Sequence, residues 1–104
     1  MASLDSLTVF VVVGLFGTNA IPHVVQGITG QRHMTPLGAD SSAVANVIWG
    51  STNAAVAGVL AWSFRDAISG ATLAAAFLAG VALAVGLASF WSAENPQLPW
   101  DATD

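Results

Sequence analysis

Cysteine, lysine and tyrosine are all missing from this 104-residue chain, and charge of either sign is scarce. Without cysteine there is no disulfide, no thiolate metal site and no sulfur redox chemistry. Without lysine, and with only Arg32 and Arg65 as cations, there is no basic patch, which excludes nucleic acid as a partner. Charged residues make up 8% of the chain, against about 25% in an average soluble domain. Eight charges cannot clothe the surface of a soluble protein of this size.

What is present is long apolar sequence. The chain is 55% hydrophobic, with a mean hydropathy of +0.70. The charges sit at Asp5, Arg32, Asp40, Arg65, Asp66, Glu94, Asp101 and Asp104. Between them run three uncharged stretches, Ser6–Gln31, Ser41–Phe64 and Ala67–Ala93, of 26, 24 and 27 residues. A bilayer core requires about 20 mostly apolar helical residues to cross it. The expected fold is therefore an all-α integral membrane protein of one domain with three transmembrane helices. They fall at about residues 4–28, 41–64 and 67–91, with a polar joint at 31–40 and a tail at 92–104. The only lasting partner this composition requires is the lipid bilayer.

The N-terminal stretch carries Asp5 in place of a basic n-region and runs past the usual length of a signal-peptide core. It also lacks the glycine needed for myristoylation. The Ala, Gly and Val richness points to a GC-rich bacterial gene, hence to a multi-pass protein of the bacterial cytoplasmic membrane.

Pro22 lies inside the first apolar stretch. It has no N–H for the Thr18 carbonyl, so a kink is expected near it. Gly27 and Gly30 weaken the helix end. Asp40, Ser41 and Ser42 are each able to cap the second helix. The short Arg65-Asp66 joint predicts that helices two and three form a tight antiparallel hairpin. Trp62, Trp91 and Trp100 fall at the membrane edges, where indole rings anchor.

Two patterns stand out as candidate functional features. On helix two, Gly50, Ala54 and Gly58 recur every four residues after Asn46. On helix three, Ala76, Gly80 and Ala84 do the same. Such ridges let helices approach closely, and facing one another they would zip the hairpin. A second small stripe on helix three, Ala75, Ala79, Ala82, Gly86 and Ser89, leaves a face for an outside partner.

The other pattern is polar. Asn19, His23 and Gln26 share one face of helix one. Buried in lipid they need partners, and Asn46 and Asn53 are the natural ones. His23 and His33 are the only histidines. Ten residues apart with glycines between, they share no helix face, and no metal or haem site is expected from them. No nucleophile motif occurs, so no enzymatic activity and no cofactor is expected.

The leading expectation is a small accessory subunit of a larger membrane complex, packing against other subunits or against itself. A homo-oligomeric channel or carrier using the Asn19, His23 and Gln26 face is one alternative. A lipid- or quinone-binding module is another.

Overall fold

The computed structural model describes residues 2–93. Three helices dominate: α1 (Leu4–Ile28), α2 (Ala43–Ser63) and α3 (Gly70–Trp91). All three are long and apolar enough to cross a membrane, by length and composition. A short antiparallel ribbon, β1 (His33–Thr35) and β2 (Gly38–Ser41), joins α1 to α2. A 3-10 turn at Arg65–Ala67 leads into α3.

Each helix begins at a serine whose side chain accepts an N–H of the first turn. Ser3 accepts from Ser6, Ser42 from Ala45 and Ser69 from Thr72. Ser69 and Thr72 also close a reciprocal capping box. α1 runs unbroken through Pro22. It ends where Gly30 adopts a left-handed φ of 77°. The Gln31 N–H bonds the Gln26 carbonyl at 2.8 Å and the Gly30 N–H bonds that of Gly27 at 3.0 Å. This is the paired 6→1 and 5→2 pattern of a Schellman stop. It turns the chain back towards the bundle.

The expected tight pairing of helices two and three does not occur. α1 lies between them and packs along both, and α2 and α3 have little direct contact. A Cβ at Gly50 would stand 2.7 Å from a Val24 methyl and 2.9 Å from the Ala20 carbonyl oxygen, both on α1. A Cβ at Gly80 would meet the Thr18 hydroxyl at 2.5 Å, again on α1. In return, Gly14 of α1 lies against the Ala76 backbone and Gly27 against Ala43 and Val47. The close-approach glycines are thus real, but their shared partner is the first helix. The reason is energetic: α1 carries the polar face, and covering it with α2 satisfies groups that a Gly/Ala zipper would leave open.

The buried line of each helix also departs from the four-residue ridge. A four-residue step drifts roughly 40° around a helix of 3.6 residues per turn. Ala54 and Gly58 therefore swing out to the exposed side, and the buried line of α2 is Asn46, Gly50, Asn53 and Ala57. On α3 the same drift exposes Ala84, whereas Thr72 and Gly80 are buried. Large apolar side chains, among them Ile21, Val25, Ile48, Val59, Phe77 and Val85, point outward.

Candidate functional site

The joint expected to be a plain polar linker is the structural surprise. Pro36 and Leu37 form the tip of a ribbon in which His33 pairs with Ser41 and Thr35 with Gly38, with one extra residue bulged into β2. The buried Thr35 hydroxyl meets that of Ser41 at 2.6 Å and accepts the Leu37 N–H at 3.1 Å, bracing the turn. Outside, Arg32 pairs with Asp40 at 3.0 Å, an exposed contact of little energetic weight.

The ribbon is held to the helices by Asn46. This side chain is 0% exposed. Its amide nitrogen donates to three backbone carbonyls: His33 at 2.9 Å, Ser42 at 3.0 Å and Ser41 at 3.2 Å. Its oxygen lies 2.7 Å from Nδ1 of His23. One side chain thereby ties together α1, β1, β2 and the start of α2. One turn pair further along, Asn19 donates to the Asn53 oxygen at 3.3 Å, and Asn53 donates to the Trp49 carbonyl at 2.8 Å. Four of the five polar residues singled out from the sequence are therefore joined in two pairs. Gln26 is half-buried and joins neither pair among the described residues.

Folding the ribbon back brings His33 beside His23, with ring centroids 5.3 Å apart. His33 also packs on Trp91 of α3 at 4.7 Å, and Trp49 meets His23 edge-on at 6.5 Å. These rings wall a partly open cavity of about 350 Å³, completed by Asn19, Pro22, Met34, Thr35, Pro36, Leu87 and Phe90. It lies within the size range of small-molecule pockets, about 300–1,000 Å³. Burial lowers the pKa of His33, and repulsion from His23 lowers it further, which disfavours its charged form.

His33, Trp49 and Phe90 were not among the site residues legible in the sequence. Trp91, expected as a membrane-edge anchor, lines this cavity, while Trp62 stacks under the Arg65 guanidinium at 4.3 Å at the opposite end. Trp100 lies outside the described residues. The signal for the missed part was Gly30 followed by Thr35-Pro36-Leu37-Gly38, a helix stop and then a turn. Among the described residues no three His, Cys, Asp or Glu side chains cluster as metal ligands. Among those residues the two imidazoles stand without a carboxylate. What the cavity offers is aromatic and apolar walls with a few convergent polar atoms, suited to holding a ring. Comparison with protein-family models, with curated proteins and with solved structures finds no match for this chain.

Proposed function

We propose that this chain is a small multi-pass protein of a bacterial cytoplasmic membrane that binds an amphipathic, ring-bearing molecule of the lipid or quinone class. It acts as a binding module and not as a catalyst. The observation that carries this reading is the 350 Å³ cavity in which two histidines and two tryptophans from four separate elements converge. Helix packing alone has no use for it. The ribbon fold-back, held by Asn46, brings His33 to a wall it would otherwise not reach.

Native mass spectrometry of the full chain, extracted with its membrane lipids, tests the reading. The expected spectrum shows a retained adduct of small-molecule mass that Trp91→Ala or His33→Ala loses. A bare wild-type chain under conditions that keep other lipids bound would overturn it.

A second reading, the accessory subunit, is favoured by α3. Its outer side leaves Ala82, Gly86 and Ser89 exposed, a strip where another helix backbone could come close. In the same spectrum that reading requires other chains, or further copies of this one, to travel with it. The channel alternative gains least, because Asn19 and His23 already bond within the chain to Asn53 and Asn46.

A further inference from the structure

The hydrogen bonds around Asn46 decide which way the His23 proton points, and with it which ligand the cavity prefers. All three contacts of the Asn46 nitrogen are backbone carbonyls, which only accept. The amide is therefore oriented with its nitrogen towards the ribbon and its oxygen towards His23. That oxygen only accepts as well. The 2.7 Å contact at Nδ1 is then an N–H donated by His23, and the neutral ring carries its lone pair on Nε2.

Nε2 has no partner among the described residues, although His23 is only 7% exposed. No buried side-chain nitrogen or oxygen among them lacks a partner. Nε2 therefore keeps some open surface, and His23 lines the cavity. Beside it, the His33 ring makes no side-chain hydrogen bond among the described residues and is free to present an N–H.

We infer that the cavity selects the hydroxyl form of its ring ligand, a phenol or hydroquinone headgroup, over the corresponding quinone or ether. A hydroxyl does both things the pair asks for. It donates to the fixed lone pair of His23 and accepts from His33. A quinone carbonyl accepts from His33 only and leaves the His23 lone pair facing an oxygen of like polarity. Sites built to hydrogen-bond a hydroxyl reject analogues that lack it, because a buried polar atom is left unpaired. The aromatic walls, with His33 on Trp91 at 4.7 Å and Phe90 edge-on to Trp91 at 5.0 Å, suit a flat ring. The inference rests on the proposal that this cavity binds a ring-bearing molecule. It adds which protonation and redox form is held. A tenfold preference for the reduced form would raise the potential of the bound two-electron couple by about 30 mV.

The test is calorimetric titration of the full chain in lipid nanodiscs with three probes: decyl-benzohydroquinone, decyl-benzoquinone and the dimethyl ether of the hydroquinone. The hydroquinone is expected to bind roughly tenfold more tightly than either of the others. In His23→Gln, whose side chain offers both a donor and an acceptor, the preference should fall to about twofold or less. Trp62→Phe, at the far end of the bundle, should keep it. The wild-type comparison stands without any variant, so a misfolded His23→Gln leaves the question decidable. Quinone or ether binding as tightly as the hydroquinone would overturn the inference and leave the binding module intact. Absence of saturable binding by all three would remove both.

Discussion

His23 and His33 are ten positions apart in sequence and on different elements, yet their rings lie with centroids 5.3 Å apart. Gly30 makes this possible by stopping α1 in a left-handed turn, and Asn46 completes it by bonding the His33 carbonyl and the His23 ring together. Proximity has an electrostatic consequence. Burial, then the neighbouring imidazole, depresses the His33 pKa below its ordinary value of 6.5. Among the described residues the titratable group facing His33 from α1 is His23; from α3 it packs on Trp91, and Arg32 and Asp40 pair with each other on the exposed side of the ribbon.

The sign of the pH effect follows. With a depressed folded-state pKa, the unfolded chain binds more protons, so stability rises with pH across the window between the two pKa values. Stability is complete above about 6.5 and falls as pH drops from there to the lower, folded-state value. Thermal unfolding in detergent at a series of pH values, wild type against His33→Phe, measures it. The variant is expected to show a flatter profile between about pH 5 and 7. An unchanged slope would mean that His33 is not the group responsible.

Three helices each long and apolar enough to cross a membrane make a topological prediction for the proposed three-span protein. Cysteines placed at Ser3 and Asp66 should label from one side of the membrane, and one at Leu37, on the ribbon tip, from the other. Labelling of Leu37→Cys from the same side as Ser3→Cys would show that α1 does not cross.

Glycine substitutions separate the observed packing from the hairpin expected from sequence. Gly50→Ala places a methyl 2.9 Å from the Ala20 carbonyl oxygen, and backbone cannot yield as a side-chain tip can. It should destabilise by about 1–3 kcal/mol, the usual scale of overpacking. Gly58 has nothing within 4 Å of an added Cβ. Gly58→Ala should be neutral, or stabilising by roughly 0.5–1 kcal/mol through helix propensity. Both glycines belong to the same sequence ridge, so equal effects at the two positions would restore the ridge and remove the central placement of α1. Unfolding in mixed micelles reads the difference.

These contrasts show what was legible beforehand. The three long apolar helices were, because hydropathy over twenty residues is a local property, and a capping serine precedes each helix. So was the polar face of α1, since Asn19 and His23 repeat at one helical turn and must be covered. The partner of the small-residue ridges was not, because a glycine advertises close approach without saying to whom. That choice was made by Asn46 and Asn53, which drew α2 onto α1. The cavity was least legible of all. It depends on a single left-handed residue, Gly30, reversing the chain, and on a ten-residue joint whose polarity read as solvent-exposed linker.

Asn46 is then the residue whose loss should matter most, and its environment sets the magnitude. Interhelical hydrogen bonds in membranes average about 0.6 kcal/mol, because the separated helices find other partners. Asn53→Ala should cost about that, since its long 3.3 Å contact with Asn19 is readily replaced. Asn46 is different because its partners belong to the ribbon backbone and to a buried ring. Asn46→Ala strips a donor from three carbonyls and an acceptor from the His23 N–H at once. A buried group left unsatisfied costs about 1–3 kcal/mol. The variant should therefore lose at least about 2 kcal/mol, free the ribbon and open the cavity. Hydrogen exchange resolves these outcomes: protection of the Ser41 and Thr35 amides should fall in Asn46→Ala, while α3 amides such as that of Leu83 stay protected. Equal loss of protection in the ribbon and α3 would show that Asn46 supports the bundle as a whole. Loss confined to the ribbon would make it the clasp that holds the histidine cavity closed.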